Sequence, residues 1–295
     1  MNTASWLVRR EFWENRAIWL IPAVFGALLI LASLFGGYQV LGAGDLATVR
    51  TVVQAGALDG MVLIGLAFFT VMLIYSTWYL LDCLYTDRKD RSILFWKSMP
   101  ISDTATVLSK LGIALVVIPL VYFVLADVST LVMAFVISVR ARSYIGSTLW
   151  SGESWLQIQG LWLYAIVTAA IWYLPVSGWL LIVSAWAKRA VILWSILPPL
   201  AVVVAERVFL GTHHLWGMVE SRMAGYLGHA MRYTPGAENW ITTAVGHDEI
   251  VTPVSLWRFL NPAGFFSSAD TWIGAAVGAA LIACAIQLRM RRAEI

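Results

Sequence analysis

Six long apolar blocks, separated by shorter polar segments, set the pattern of this sequence. A helix needs about 20 residues to cross the ~30 Å hydrocarbon core of a bilayer, and every block meets or approaches that length. The pattern predicts an all-α integral membrane protein with six transmembrane helices in a single domain over residues 1–295. The blocks cover residues 17–38, 61–84, 107–139, 161–187, 190–210 and 271–288.

The third block is longer than one crossing needs, and Pro119 and Asp127 interrupt it. We expect one tilted or kinked helix that projects beyond the bilayer. The alternative is a span that ends near Ala126 and is followed by a helix at the membrane surface.

The segment before the first block, residues 1–16, is charged but rich in aromatic side chains. Trp6 and Trp13 are seven residues apart and share one helical face. Indoles in the headgroup layer and arginines that reach towards water are typical of a helix lying at the membrane surface. We therefore expect an N-terminal interfacial helix, with a solvated leader as the alternative. The flanking arginines are Arg9, Arg10 and Arg16.

The longest segment outside the blocks is residues 211–269, between the fifth and sixth spans. Its first part has apolar residues at helical spacing, which predicts an amphipathic helix on or in the outer leaflet. Prolines and a glycine divide the remainder into short pieces. The residues at helical spacing are Leu215, Met218, Val219, Arg222, Met223, Tyr226 and Ala230, and the breaks are Pro235, Gly236, Pro253 and Pro262.

Composition and charge agree with the membrane interpretation. The chain is 60% hydrophobic and only 13% charged, whereas soluble domains are about 25% charged. Most of the 20 Lys and Arg residues fall on the side of the two termini, which predicts cytoplasmic termini in a multi-pass protein. The net charge of +3 reflects this bias and gives no reason to expect nucleic acid. Cys83 and Cys284 would face a reducing compartment, so no disulfide is expected.

The sequence lacks the short motifs of several enzyme classes. It contains no G-x-x-x-x-G-K-[ST], no H-E-x-x-H and no G-x-S-x-G, so we expect neither a nucleotide site nor a catalytic site on this chain. Four histidines with Asp248 and Glu249 fall in the outer segment, which leaves a metal-dependent membrane enzyme as an alternative. Interfacial histidines without a metal are the simpler interpretation. They are His213, His214, His229 and His247.

Charged residues inside the spans are few, and all lie near the outer boundary. Asp127, Glu206 and Arg207 are expected to pair with neighbours or headgroups rather than to bind substrate. No series of acids and histidines follows the spans, which weakens the alternative of a secondary transporter without removing it.

The most informative segment joins the second and third spans: "LYTDRKDRSILFWKSMPISD", residues 84–103. Asp87 and Asp90 are placed to cap a short helix, Pro100 should end it, and Ser102 or Asp103 should cap the third span. Four consecutive large apolar residues, 93–96, stand among basic ones. The simpler interpretation, a positively charged inner flank with an aromatic anchor, accounts for the charges but not for four large apolar residues in a row. A helical turn that docks in a groove of a partner accounts for both.

Three parts of the chain resemble bacterial permeases of the ABC type 2 transporter family. "DRKDRSILFWKSMPISD" resembles their first cytoplasmic loop, and "LPVSGWLLIVSAWAKRAVILWSILPPL" resembles the stretch through their fourth and fifth helices. "LNPAGFFSSADTWIGAAVGAALIACAIQLRMRR" resembles their last helix and basic tail. The segments follow one another in the family's order.

The resemblance implies an architecture and a function. Besides six spans, the chain would have an entry helix (1–16), a cytoplasmic coupling helix in a coupling loop (85–104) and short or re-entrant outer helices (211–269). The chain would be the permease subunit of an ATP-driven exporter in the bacterial inner membrane, surrounded by lipid and paired with a second permease, in a homodimer. ATP and Mg would bind to a separate ATPase subunit, and no cofactor to this chain.

The resemblance also implies which residues contact the ATPase. A second, smaller contact would come from the turn between the fourth and fifth spans. The cargo does not carry over from the family, and the family's pathway lies at the permease dimer interface. The implied coupling residues are Asp90, Arg91, Ser92, Phe95, Trp96 and Lys97, with Lys188 and Arg189 in the second contact.

Overall fold

The computed structural model describes residues 3–35, 46–90, 102–140, 152–231 and 256–291. Every regular element in these ranges is helical, and their only β-type pairing is an isolated bridge between Met231 and Leu260. The helices are α1 (Thr3–Glu14), α2 (Ala17–Phe35), α3 (Leu46–Lys89), α4 (Asp103–Gly112), α5 (Ile118–Arg140), α6 (Gly152–Trp172), α7 (Leu174–Trp186), α8 (Val191–Phe209), α9 (His214–Ala224), α10 (Tyr226–Ala230), α11 (Pro262–Ser267) and α12 (Ala269–Arg291), with a π turn at Ile113–Val117 and a 3-10 turn at Leu256–Phe259.

Six stretches of helix are long and apolar enough to cross a membrane within the described ranges. The predicted fold class, an all-α membrane protein with six spans, is confirmed at this level. The stretches are Ala17–Phe35, Gly60–Lys89, Asp103–Val136, Trp155–Trp172, Val191–Phe209 and Ala269–Arg291.

The third span is one continuous helical segment from Asp103 to Arg140. This confirms the single-helix interpretation, and the alternative of a span ending near Ala126 is wrong. Its π turn comes just before Pro119. Proline cannot donate to the carbonyl four residues back and its ring crowds that carbonyl, so a locally wider turn relieves the strain.

The fourth apolar block of the sequence, residues 161–187, is divided between two helices. α6 ends at Trp172, and α7 begins at Leu174 with Pro175 in its first turn. Pro175 lacks the N–H that would bond back into α6, which accounts for the break. Tyr173 still connects the two helices, because its N–H donates to the Ala169 carbonyl at 2.9 Å.

α7 and α12 form the tightest helix pair, with small residues at their contact. A Cβ on Gly178 would lie 2.9 Å from the Gly278 carbonyl oxygen. A Cβ on Gly278 would lie 2.7 Å from the carbonyl carbon of Leu174. The backbones therefore approach as closely as glycine allows, which is how helices pack without a hydrophobic driving force in lipid.

We call one end of the helical bundle the basal end, defined by α1, the end of α3, the start of α4 and the end of α12, and the opposite end the distal end. Glu11 near the start of the chain and Arg289 near its end both lie at the basal end, in the ion-pair cluster described below. α8 buries only Glu206 against the rest of the chain. Most of its other apolar side chains are exposed, although Val191 packs against the core and Trp194 packs edge-on against Trp186.

Candidate functional site

A cluster of buried charges lies at the basal end, where four helices meet. The Lys110 ammonium on α4 is 2.9 Å from Glu11 Oε1 on α1 and 3.3 Å from Asp87 Oδ1 on α3. All three side chains are at least nine-tenths buried. We call this the basal ion cluster; it comprises Glu11, Asp87, Asp103, Lys110 and Arg289.

Arg289 on α12 completes the basal ion cluster. Its Nη1 lies 3.2 Å from Asp87 Oδ2, and its Nε lies 3.1 Å from Asp103 Oδ1. Asp87 is close to the end of α3 and Asp103 is the first residue of α4. One guanidinium therefore joins the two helix ends that flank residues 91–101.

Neutral groups hold Glu11 in place within the basal ion cluster. Tyr79 Oη and Asn15 Nδ2 each donate to Glu11 Oε2 at 3.1 Å, while Lys110 binds the other carboxylate oxygen. Both oxygens are thus hydrogen-bonded. This matters because a buried carboxylate is tolerated only when it is both paired and hydrogen-bonded.

The basal ion cluster contains three acids and two bases, and Arg88 and Lys89 lie beside it in the last turn of α3. Removing one member would leave a partner buried without compensation, at a cost of about 3–5 kcal/mol. Replacing a whole pair by apolar groups costs much less. The cluster therefore fixes the arrangement of α1, α3, α4 and α12 more than it adds net stability.

Arg88 joins the end of α3 to the end of α7. Its Nη2 donates to the carbonyl oxygens of Ser184 and Ala187, at 2.7 Å each. The Ser184 hydroxyl accepts in turn from the backbone N–H groups of Leu84 and Tyr85, at 3.0 and 3.1 Å. Neighbouring residues on α3, Asp87 and Arg88, thus bind α4 and α12 on one side and α7 on the other.

The turn between α7 and α8 begins right after the Ala187 carbonyl that Arg88 binds. Lys188 and Arg189 are both exposed. Ala190 has φ 52° and ψ 53°, the left-handed region that costs a non-glycine residue about 1–2 kcal/mol. The tight reversal places both basic side chains at the basal end, next to the carbonyl of Ala187 that binds Arg88.

Of the first predicted coupling contact, only Asp90 is among the described residues. It is exposed just after α3, and its N–H donates to the Thr86 carbonyl at 3.0 Å. The structure brings Asp90 and the turn with Lys188 and Arg189 to the same end of the bundle. The other five residues lie outside the described ranges: Arg91, Ser92, Phe95, Trp96 and Lys97.

The expected capping role of Asp87 is wrong. α3 continues through Lys89, and the Asp87 carboxylate binds Lys110 and Arg289 instead. The expected cap of the third span is confirmed for Ser102, whose hydroxyl accepts from the Ala105 N–H at 3.1 Å.

Sequence reasoning missed the basal ion cluster because its bases were counted only as flanking positive charge. A signal was present at Lys110, which lies seven residues into the helix that begins at Asp103, or roughly 10 Å from its start. An ammonium at that depth needs a buried partner. The sequence does not say which carboxylate supplies it.

At the distal end, Glu206 and Asp127 pair with neighbouring residues, as expected. Glu206 accepts from the Thr212 hydroxyl at 2.7 Å and from the backbone N–H groups of His214 and Leu215, both at 2.8 Å. It therefore caps the first turn of α9. Asp127 Oδ1 accepts a hydrogen bond from the Gln159 amide, Nε2, at 2.7 Å.

The predicted amphipathic outer helix is divided into α9 and α10 at Gly225. Arg222 lies 4.2 Å from the centre of the Trp172 ring and donates to the Asp270 carbonyl at 2.9 Å. Burial lowers the pKa of the Arg222 guanidinium, and the charge of Asp270 opposes that shift. These contacts give α9 a structural role in closing the distal end.

The described histidines do not support the metal-enzyme alternative. His229 Nε2 is 3.9 Å from Asp270 Oδ2, its Nδ1 is 3.0 Å from the Gly225 carbonyl oxygen, and its ring packs on Trp172. Within the described ranges, no group of three His, Cys, Asp or Glu side chains is placed to hold a metal ion. His247, Asp248 and Glu249 lie outside those ranges.

Comparison of the chain with protein-family models, with curated proteins and with solved structures found no match.

Proposed function

We propose that this chain is the membrane-spanning permease subunit of an ATP-driven ABC exporter. The six spans, the apolar and basic sequence of the coupling loop and its resemblance to the permease family support this assignment. The subunit binds no nucleotide itself. ATP and Mg bind to an ATPase subunit on another chain, which docks on the coupling loop (85–104) through Asp90, Arg91, Ser92, Phe95, Trp96 and Lys97.

The observation that supports the proposal most is the contact of Arg289 with both Asp87 and Asp103. A loop that only reverses the chain needs no such clamp at its base. A loop that is pushed by a partner needs a rigid base, because otherwise the push would bend the helix ends separately. The clamp makes the ends of α3 and α4 move as one body with α12.

Force applied to the loop would then reach the other helices by direct contact. Lys110 transmits it to α1 through Glu11, and Arg88 transmits it to α7. Lys188 and Arg189 form the smaller ATPase contact beside Ala187. A small displacement at the basal end therefore biases the packing of the whole bundle, as in other transitions between discrete packed states.

The proposal fixes the orientation and the partners. The basal end faces the cytoplasm, α1 lies at the inner membrane surface, and the distal helices α9–α11 face outwards. A second copy of the permease completes the transporter. α8, which buries only Glu206 within this chain, offers an apolar surface for that copy or for lipid.

The test begins with the tagged chain purified from its native host in mild detergent. We expect an ABC ATPase to co-purify, with ATP hydrolysis that requires Mg and that substrate-containing membranes stimulate. Trp96→Ala with Arg91→Glu should abolish co-purification and stimulation while the thermal unfolding temperature of the permease stays unchanged. The matched control is Trp216→Ala with Arg207→Glu, two exposed distal residues, which should leave the ATPase bound. Full retention of the ATPase by the loop variant would refute the docking role.

A secondary transporter is the second candidate, and the buried carboxylate of Asp87 favours it, since Asp87 lies in the second span and ionisable groups within spans often bind coupling ions. Proteoliposomes that contain the chain alone separate the two. Uptake or release driven by an imposed proton or sodium gradient, without any ATPase, would favour this second function.

A further inference from the structure

A cleft of about 680 Å³ opens at the basal end between α1, α2 and α3. Its volume lies within the range of sites that bind small molecules, about 300–1,000 Å³. Its basal part is lined by acidic side chains, and its deeper part is lined by apolar ones. We call it the basal cleft.

The acidic part of the basal cleft contains a carboxylate with no partner. Glu11 and Asp87 line the cleft but are paired within the basal ion cluster, and Glu14 pairs with Arg10. Asp82 is exposed and forms no hydrogen bond or ion pair with the residues that the structure describes. It lies seven residues from the end of α3, roughly 10 Å inside the span that ends at Lys89. An acidic side chain without a partner, on a helix long and apolar enough to cross a membrane, is a functional candidate.

The apolar part of the basal cleft lies on the same stripe of α3. Ile74, Trp78 and Asp82 follow one another at intervals of four residues, so their side chains lie above one another on one face. Ile74 is 66% exposed and Trp78 is 58% exposed. The cleft therefore offers a carboxylate, an indole and an aliphatic surface in sequence along roughly 12 Å of helix.

A second cleft continues from the first. It has a volume of about 440 Å³, and Ile74 and Trp78 line both clefts. The second cleft lies mainly between α3, the third span, α6 and α7. It reaches Tyr173 and Met223, which are joined by a hydrogen bond from Tyr173 Oη to the Met223 carbonyl. Its lining is almost entirely apolar. The two clefts together form one surface path from the basal end towards the distal end, with Trp78 at the junction.

We propose that the basal cleft binds a cationic amphiphile, a molecule with one protonated or quaternary amine and a hydrocarbon portion, and that the second cleft is its onward path. The amine pairs with Asp82 and lies against the Trp78 ring, which attracts cations. The hydrocarbon portion covers Ile74 and the apolar floor. Binding is a property of the cleft alone, whereas transport along the path depends on the proposed exporter function.

Other occupants fit the lining less well. An anionic amphiphile would meet five carboxylates against two basic side chains, Arg10 and Lys110. A neutral lipid would leave Asp82 unpaired. A divalent cation needs several oxygen ligands at once, and the described residues contain no group of three that could supply them.

Binding of radiolabelled dodecyltrimethylammonium to the full chain in phosphatidylcholine nanodiscs tests the proposal, with empty nanodiscs as the partition background. We expect saturable binding that competing unlabelled cation removes and that dodecyl sulfate, which has the same chain length and the opposite charge, does not. Asp82→Asn should weaken binding on the order of tenfold. Adding Trp78→Ala to this variant should weaken binding further. The matched controls are Glu220→Gln and Trp216→Ala, exposed distal residues that should bind as the native chain does.

Two results would overturn the proposal. These are unchanged binding in Asp82→Asn with a normal unfolding temperature, and equal binding of the sulfate and ammonium probes. Failure of the exporter assignment is distinguishable, because selective cation binding without a co-purifying ATPase would retain the site and remove only the energy source.

Discussion

The Lys110 ammonium lies 2.9 Å from Glu11 Oε1 although 99 residues separate them in the chain. The same ammonium is 3.3 Å from Asp87 Oδ1. One side chain thus holds α1 and the end of α3 against the start of the third span. Because all three groups are buried, loss of their pairing is expected to disturb how α1 packs on the bundle.

Lys110→Met is expected to destabilise the fold severely. It leaves Glu11 and Asp87 buried with less positive charge than they need, which costs about 3–5 kcal/mol. Thermal and chemical unfolding in detergent micelles measures the loss. Lys188→Met, which removes an exposed lysine, should change the free energy of unfolding by no more than about 0.5 kcal/mol.

A second substitution distinguishes lost pairing from lost packing. Glu11→Gln in the Lys110→Met background removes the charge that was left without its partner. The double variant should therefore be more stable than Lys110→Met alone. If it is less stable, the ammonium's packing rather than its charge holds α1 in place.

Arg289 and Asp103 should show thermodynamic coupling between the end of α12 and the start of α4. Their side chains are 3.1 Å apart and 186 residues apart in sequence. A double-mutant cycle of Arg289→Gln and Asp103→Asn should give an interaction energy of about 0.5–3 kcal/mol. Arg291→Gln with Asp103→Asn is the control cycle, since Arg291 is exposed. Additivity in both cycles would show that the clamp contributes nothing.

The helices could be predicted from the sequence because their signal is local. An apolar run of sufficient length predicts a span whatever surrounds it, and the six blocks correspond to the six spans of the structure. The break between α6 and α7 follows from Pro175, which is also a local signal.

The basal ion cluster could not be predicted in the same way. Asp87 and Arg289 are 202 residues apart, and no periodicity relates them. Positive charge at the inner side of a membrane protein has a general explanation, so Lys110 and Arg289 attracted no separate prediction. The pairing of each acid with its base depends on how four helices pack. Helix packing is decided by contacts between residues far apart in the sequence.

Gly278→Ala is expected to separate α7 from α12. The added Cβ would lie 2.7 Å from the Leu174 carbonyl carbon and 2.8 Å from the Pro175 nitrogen. Backbone atoms cannot turn aside as a flexible side chain can, so the helices must shift, at a cost of about 1–3 kcal/mol. Unfolding in detergent micelles measures it.

Gly217→Ala provides the matched control for Gly278→Ala. Gly217 is within α9, and a Cβ there would have nothing within 4 Å. Alanine favours a helix over glycine, so this variant should gain up to about 1 kcal/mol. Opposite signs at two helical glycines would attribute the loss at Gly278 to the helix contact. Equal small effects at both positions would contradict the close packing.

Glu206→Ala is expected to loosen the first turn of α9 without unfolding the bundle. The substitution removes the acceptor for the backbone N–H groups of His214 and Leu215, which otherwise lack a partner at a helix start. Hydrogen–deuterium exchange followed by mass spectrometry should show faster exchange in α9 and unchanged exchange in α7. Glu220→Ala, at an exposed position in the same helix, should leave α9 protected as before. Glu206 is the only buried residue of α8, and its carboxylate bonds to the start of α9. Slower or unchanged exchange in Glu206→Ala would mean that α8 does not position α9 through this carboxylate.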